Sequence, residues 1–573
     1  MSGKKPQSTP NPPTSSDRPA ADAAVRPPVR TLSPRKLWLF RLAAILLSLS
    51  VLVLVEAAFR LVGVGQNLRL VVRAPENPLG LTHQMNGAVD LAFYGAADLT
   101  GPETRRFRLP KPRDTYRIVF LGGSTVIGFP YASELAFPRQ TEVQLQRQNP
   151  DLKFEVFNVG ITSINSFSVV DLLEQCLECE PDLIVVHTGH NEFYGPGGPG
   201  SSAVSVPYPL VRPMFALRRC RTSQLVESVS PFRRPMSDDL LDTLPRTLEI
   251  PLNGAVFERA KQNLRRNLER SVAIADQHRV PILLSTVASN LKDQSPLRSV
   301  GPSEISPDQQ ARWERDVRRG ESLLRQGELT EALAAFHKAE EILEHHARLS
   351  YRKAQCLEAL GRNDEALAAY KQARDEDACR FRAPSVFADI VREVADRSAN
   401  ASFLDVEQQV NAESSPAGPG HDYFFEHVHY TFAGHVSLGR MFARGIQEQV
   451  LRRPWLPERV PSREELETLL GVVPEDHLAA YSSAIEVMQT GPLKSALDAA
   501  RHEEHIKKLI AEGFFGLDPT RREAFADIPM NIMVNDLIGG LVFIHRVRGN
   551  TDLSEEFARL AAVRRPWMVG SFP

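Results

Sequence analysis

The chain has 573 residues, with 68 lysines and arginines against 70 aspartates and glutamates. This length is too great for one ordinary core and predicts two to four domains. The balanced charge lacks the basic excess of nucleic-acid-binding proteins, so we expect no nucleic acid partner. Cys176 and Cys179 form a single C-x2-C on a predicted helix, without a second pair. We interpret them as packing residues rather than zinc ligands, and we expect neither metal nor cofactor.

The N-terminal part of the chain has two contrasting segments. Residues 1–36 are rich in Pro, Ser and Ala and lack apolar periodicity, which predicts a disordered tail. Residues 37–63 have an uncharged centre, Leu42–Val55, and flanking charges that can reach outward, so the segment is long enough to cross a bilayer. Basic residues before it predict that the tail is cytoplasmic and the rest of the chain extracytoplasmic. We favour an uncleaved signal anchor; the alternative is a cleaved signal peptide, because Val55-Glu56-Ala57 resembles a cleavage site.

Beyond a connecting region, 64–113, apolar runs alternate with helical patterns. The predicted strands are "YRIVFLGG" from Tyr116, "KFEVFNVGI" ending at Gly160, "PDLIVVHTGHNEF" ending at Gly189–Asn191, "VPILLSTVASN" from Val280, and "ASFLDVEQQV" from Ala401. Helices are predicted over about 166–179 and from Val256 to about His278. Strands that alternate with helices indicate a parallel sheet covered on both faces.

A repeat lies between the fourth and fifth strands. The segment "LLRQGELTEALAAFHKAEEIL" recurs as "CLEALGRNDEALAAYKQARDE". Matching residues stand 34 positions apart, at Gly327/Gly361, Ala332/Ala366, Phe336/Tyr370 and Ala339/Ala373. This period, with small residues where helices approach closely, resembles the tetratricopeptide repeat. We assign residues 303–378 to it; the resemblance implies a protein partner, and a plain helical spacer is the alternative.

Two further regions are assigned by composition and periodicity. The loop "YGPGGPGSSAVSVPYP" after the third strand is a candidate lid or substrate wall, and equally a surface loop without a role. Residues 456–573 are predicted to be a helical C-terminal region, in which we find no chemical motif.

Four residues with acyl-transfer chemistry follow predicted strands: Ser124, Gly160, Asn191 and His429. Serine is a weak nucleophile until a base takes its proton, and histidine titrates in the useful range. The N–H groups of Ser124 and Gly160 and the amide of Asn191 are candidate donors to an oxyanion.

A catalytic histidine also needs a carboxylate that orients its ring. Glu426, His427 and His429 stand close together, and His421 and His435 are further candidates for the base. A turn would place Glu426 beside His429. We therefore expect His429 to be the base and Glu426 to orient it.

These motifs together resemble the GDSL/SGNH hydrolase family, whose four named residues match Ser124 in "GGST", Gly160 in "NVG", Asn191 in "GHNEF" and His429 in "EHVH". The resemblance covers roughly 116–195, 256–300 and 378–450. Two positions depart from the family pattern: Gly123 stands where aspartate is usual, and Glu426 replaces the usual aspartate before the histidine.

The resemblance implies an α/β, flavodoxin-like three-layer fold with a parallel sheet, in two parts at 114–302 and 379–455. The repeat pair is inserted between them, and the helical C-terminal region follows. The resemblance also implies serine esterase or O-acyltransferase chemistry. Together with the anchor predicted over 37–63, it leads us to expect a membrane-anchored enzyme acting on an acylated small molecule or a cell-surface glycan. The alternative is a catalytically silent scaffold that binds a protein partner through the repeats.

Overall fold

The computed structural model describes residues 33–95, 101–201, 206–229, 249–300, 305–414 and 416–568, in two compact units, Met1–Leu61 and Val62–Pro573. The first unit contains all but the last residue of the helix α1 (Pro34–Val62), which is about 43 Å long at 1.5 Å per residue and has no buried side chain. Among the described residues it alone is long and apolar enough to cross a membrane, a test that a signal sequence near an N-terminus also passes. Most of the tail predicted over 1–36 lies outside the described residues.

The second unit holds the sheets and the remaining helices. Its strands are β1 (Val71–Arg73), β2 (His83–Met85), β3 (Arg106–Phe107), β4 (Thr115–Gly122), β5 (Lys153–Gly160), β6 (Leu183–His187), β7 (Ile282–Ser285) and β8 (Ala401–Leu404). Its helices up to β8 are α2 (Leu91–Tyr94), α3 (Ser124–Ile127), α4 (Phe137–Gln148), α5 (Ser166–Cys176), α6 (Tyr208–Arg218), α7 (Arg221–Val229), α8 (Ala255–His278), α9 (Pro307–Gln326), α10 (Leu329–Glu340), α11 (Ala347–Ala359), α12 (Asn363–Glu376) and α13 (Ser385–Ala395). The later ones are α14 (Val406–Glu413), α15 (Phe432–Gly445), α16 (Arg463–Leu470), α17 (Pro474–Met488), α18 (Ala499–Gly516), α19 (Pro519–Ala526), α20 (Met530–Val547) and α21 (Thr551–Arg564).

The parallel sheet has the order β5-β4-β6-β7-β8. Counted along the chain this is 2-1-3-4-5, the flavodoxin-like order, in which ligands bind beyond the carboxyl ends of the strands. Gly122 at the end of β4 pairs with Gly160 and with His187, and Ser285 pairs with His187 and Leu404. The carboxyl ends of all five strands therefore form one edge.

The central strand β4 is apolar without alternation because both of its faces are covered. Ile118 and Phe120 enter a core with helices α4 and α15, whereas Val119 and Leu121 enter the opposite core with α5, α8 and α13. These are the two outer layers of a three-layer α/β structure. The predicted fold class is confirmed.

Three predicted strands are longer than the observed ones; one of them is the fourth, which the sequence predicts over residues 280–290 and which is observed over Ile282–Ser285. The third ends at His187 rather than at Gly189–Asn191. His187 is the last residue of this strand that pairs with both neighbouring strands. The fifth ends at Leu404, because the Asp405 side chain accepts a hydrogen bond of 3.1 Å from the Gln408 N–H and caps α14. The "VEQQV" half of that apolar run is therefore helical.

The repeats form two helix pairs, α9–α10 and α11–α12, between β7 and β8. Their small residues sit where the helices meet, and Ala332 and Ala366 are fully buried. A Cβ added at Gly320 would lie 2.5 Å from the Phe336 ring, so this glycine lets α9 approach α10.

The region 64–113, expected to be a connector, carries the small antiparallel sheet β1-β2-β3. Val71, Met85 and Phe107 of this sheet are buried in the same core as Val119. The segment therefore adds to the core of the α/β layers.

Candidate active site

Ser124 stands where β4 turns into α3. A Cβ added at Gly122 would lie 2.1 Å from the His187 carbonyl oxygen, so only glycine allows the strand to end this close to β6. Ser124 is the first residue of α3, and its N–H has no intrahelical acceptor because no turn precedes it. The turn leaves the Ser124 side chain half-buried, with its hydroxyl at the carboxyl edge of the sheet.

The Ser124 hydroxyl contacts His429, which lies on a loop 305 residues further along the chain. Ser124 Oγ lies 2.8 Å from His429 Nε2, and His429 Nδ1 is hydrogen-bonded to Glu426 Oε1. The loop is a turn, closed by the bridge between Phe424 and Tyr430. A proton on Nδ1 donated to Glu426 leaves Nε2 free to accept from the serine.

Glu426 is 1% exposed and lies between two histidines. His427 Nδ1 is against Glu426 Oε2 without hydrogen-bonding geometry, and the Val428 N–H donates to that oxygen at 3.2 Å. Burial alone would raise the pKa of Glu426, but the two histidines outweigh it and hold the pKa well below its ordinary value of 4.5. The carboxylate is therefore charged and able to stabilise an imidazolium on His429.

Asn191 lies close to the turn that carries Ser124. Its Nδ2 donates to the Ile164 carbonyl oxygen at 3.1 Å, and the second hydrogen of the amide is left for another acceptor. A Cβ added at Gly123 would lie 3.0 Å from Nδ2, so glycine at this position makes room for the amide. Gly123, Ser124 and Asn191 line a cavity of about 10 Å³, roughly the size of one water molecule.

Gly160 has a different environment. Its N–H donates to Asn158 Oδ1 at 3.1 Å, and a Cβ added there would lie 2.2 Å from the Ile127 backbone nitrogen. Gly160 does not line the cavity beside Ser124. The structure brings together Ser124, Asn191, Glu426 and His429, and it places Gly160 where α3 packs on β5.

The other candidate histidines have partners away from Ser124. Burial lowers the pKa of His435 to about 3, and its Nδ1 accepts from the Phe137 N–H at 3.3 Å. His421 packs against the His502 ring, and burial lowers its pKa to about 4. Neither shares the contact with Ser124.

A buried polar network lies directly behind Asn191, and sequence reasoning missed it. Glu192 is 1% exposed and accepts hydrogen bonds from Ser166 N at 2.9 Å, Ser166 Oγ at 2.6 Å and Thr188 Oγ1 at 3.4 Å. Burial outweighs these bonds and raises the pKa of Glu192 to about 7. The network ties the segment that holds Asn191 to the start of α5.

The helical C-terminal region braces the loop of His429. Phe425 and Phe432, on either side of the loop, are buried with Leu466 and Ile506 of the C-terminal helices. Tyr131 is buried with them, and its hydroxyl lies 2.9 Å from His477 Nδ1. No motif marked this role, because it consists of apolar contacts distributed over several helices.

Comparison with known proteins gives two kinds of match. A family model described as tetratricopeptide repeat matches residues 323–379, which confirms the repeats predicted from the sequence. No curated protein matches the chain.

Several solved structures match. A lipase/acylhydrolase from Enterococcus faecalis is 12% identical over 58% of this chain and 95% of its own, with a TM-score of 0.26. An acetylxylan esterase from Geobacillus stearothermophilus, a catalytic mutant, is 14% identical over 61% and 97%, with a TM-score of 0.27. A protein described as lipolytic and of the G-D-S-L family, from Desulfitobacterium hafniense, is 10% identical over 57% and 98%, with a TM-score of 0.25.

The Desulfitobacterium hafniense protein carries the name of the family that the motifs resemble. Identities and TM-scores this low do not transfer an activity to this chain. By its sheet order and layers, the chain has a flavodoxin-like three-layer α/β fold with a tetratricopeptide pair between its fourth and fifth main strands.

Proposed function

We propose that the protein is a serine hydrolase that acts on ester bonds, with Ser124 as nucleophile, His429 as general base and Glu426 as the orienting carboxylate. The observation that carries this proposal is the contact of 2.8 Å between Ser124 Oγ and His429 Nε2, with Glu426 on the opposite ring nitrogen. The three groups come from two distant parts of the chain and meet in the order that acyl transfer requires.

In the proposed reaction, Ser124 Oγ attacks the ester carbonyl carbon while its proton passes to His429 Nε2. The charge of Glu426 stabilises the imidazolium so formed. His429 then returns the proton to the departing alcohol oxygen, which leaves the acyl group on Ser124. Water, deprotonated by His429, attacks the acyl-enzyme and releases the acid; a sugar hydroxyl in place of water would make the reaction an acyl transfer.

The developing oxyanion needs donors that are already in place. We assign two: the N–H of Ser124, which has no intrahelical acceptor, and the side-chain amide of Asn191. Both residues line the cavity of about 10 Å³ beside Ser124, which has room for one oxygen atom. Gly160, a third candidate by sequence, has its N–H bonded to Asn158, so we propose a packing role for it.

We propose further that residues 37–63 anchor the protein in a membrane, with 1–36 in the cytoplasm and the α/β layers outside. The basic residues before Leu37, two of which lie in the first turn of α1, support this orientation. A phosphatase reporter fused after residue 101 is expected to be active outside the cytoplasm, with the full chain in the membrane fraction. Release of a mature chain that starts near Ala58 would contradict the anchor.

Acetyl esters on cell-surface glycans are the proposed substrates, because such a location exposes the site to them. The test is acetate release from a panel of acetylated glycans, with and without a polysaccharide acceptor, and with Ser124→Ala as the matched control. Acetate release by the wild type but not by Ser124→Ala would support hydrolysis. Formation of an acetylated acceptor would support acyl transfer. No release from any member would contradict the proposed substrate class.

A protein partner is proposed for the repeats, on the tetratricopeptide match. A groove of about 640 Å³ between α12 and α14 is lined by polar side chains such as Asn363, Lys371 and Gln408. The amide of Asn411 also lines it, without a hydrogen-bond partner among the described residues, and could bind a peptide backbone. The alternative function of the whole chain is a catalytically silent scaffold. In that case, no turnover of an ester would depend on Ser124.

A further inference from the structure

The helical hairpin 206–229, made of α6 and α7, presents an unusual surface. Its exposed positions are Pro207, Pro209, Leu210, Pro213, Ala216, Leu217, Leu225, Val226, Ser228 and Val229. Only one of these ten residues is polar, whereas the exposed face of a helix in a soluble domain is normally charged or polar. Leu217, Val226 and Val229 are 61%, 63% and 73% exposed.

The charged residues of the hairpin are turned toward the protein instead. Arg212 pairs with Glu174, and Arg219 donates to Asp171 Oδ1 at 2.9 Å. Arg218 donates to the Phe93 carbonyl oxygen. Every charged residue in 206–229 is half-buried. The polar side of the hairpin therefore packs against the rest of the protein, and its apolar side faces outward.

The hairpin is also fastened to the chain that follows the membrane-compatible helix. Gln224 Nε2 donates to the Gln66 carbonyl oxygen at 3.1 Å, and the Gln66 N–H donates to Gln224 Oε1 at 2.8 Å. Gln66 is four residues beyond Val62, the last residue of α1. A fully extended chain keeps it within about 14 Å of that residue.

From these observations we infer that the hairpin 206–229 is a second membrane contact, with its apolar face inserted into the interface of the bilayer that holds α1. Interfacial helices bury such faces about 5–10 Å into the boundary between headgroups and acyl chains. The short connection between Val62 and Gln66 keeps the apolar face of the hairpin near the bilayer. We therefore favour a lipid surface over other occupants of that face. The inference rests on the proposed anchoring by α1.

The test uses the full chain in phosphatidylcholine and phosphatidylglycerol vesicles that contain a phosphatidylcholine with a diazirine on its acyl chain. After irradiation, lipid adducts are mapped by mass spectrometry. We expect adducts on peptides from 206–229 as well as on α1. Changing Leu210, Leu217, Val226 and Val229 together to Ser should lower the hairpin adducts at least about fivefold, since each change removes aliphatic area that the lipid would bury.

The matched control is Leu360→Ser with Leu469→Ser, two exposed leucines elsewhere, which should leave the hairpin adducts unchanged. Because all these positions are exposed, the variants should keep the wild-type unfolding temperature. Adducts confined to α1 would overturn the inference while leaving the anchor intact, as would crosslinks that join the hairpins of two copies. Hairpin adducts without α1 adducts would support the membrane contact and contradict the anchor.

Discussion

The replacement of each of two neighbouring histidines by alanine tests the assignment of the base. His429 and His427 are both buried, and both lie against Glu426. Only His429 reaches Ser124, through Nε2 at 2.8 Å. The two variants remove the same type of side chain from the same loop, and only His429→Ala removes the contact with Ser124, so each is the control for the other.

The expected magnitudes follow from that contact. His429→Ala removes the proton acceptor, and general-base catalysis contributes up to about 10⁴-fold, or about 5.4 kcal/mol of transition-state stabilisation. His427→Ala removes a neighbour of the carboxylate but leaves Glu426 bonded to His429. Its cost should be less than about tenfold, or about 1.4 kcal/mol.

The assay is the rate of acyl-enzyme formation with p-nitrophenyl acetate in a stopped-flow instrument, after near-ultraviolet circular dichroism has shown that both variants are folded. Added imidazole should partly restore His429→Ala, because it can enter the space left by the ring. It should not change His427→Ala. If His427→Ala is inactive and His429→Ala is active, the assignments of both His429 and Glu426 are refuted.

Three further predictions follow from the surroundings of the site. Asn191→Ala should lower turnover about 100- to 1000-fold with little change in stability, the usual loss for one oxyanion donor; an unchanged rate would assign the amide to packing. Gly160→Ala should lower the free energy of unfolding by about 3 kcal/mol, because the new Cβ would meet the Ile127 nitrogen at 2.2 Å; an unchanged urea midpoint would contradict the packing role. The pKa of Glu192, raised by burial from 4.5 to about 7, makes a contribution to stability that is complete below about pH 4.5 and lost as pH rises through about 7. Between these pH values the free energy of unfolding of the wild type should therefore fall by about 3 kcal/mol relative to that of Glu192→Gln. Equal pH dependences of the two proteins in urea unfolding would refute the raised pKa.

Much of the site can be predicted because its residues are coded locally. The apolar run before Gly122 predicts a buried strand, and the glycines after it predict the turn that exposes Ser124. The three-residue separation of Glu426 and His429 predicts their contact once the segment is taken as a turn. In each of these cases the deciding interaction lies within a few residues.

The features that sequence reasoning missed depend on side-chain contacts that the apolar pattern does not encode. Gly160 satisfies the motif, but whether its N–H is available depends on Asn158 and on how closely Ile127 approaches. The end of the fifth strand was missed because the apolar period continues past Asp405, whose side chain starts a helix. The bracing of the His429 loop by Ile506 arises from apolar packing between segments far apart in the chain.

The most direct test of the account is the labelling of the full chain with a fluorophosphonate, followed by mapping of the modified peptide. A serine activated by His429 should react, and the adduct should lie on Ser124. Ser124→Ala should abolish the labelling, and His429→Ala should slow it by about 10³-fold or more. An unlabelled wild-type chain, or an adduct on another serine, would contradict the proposed active site.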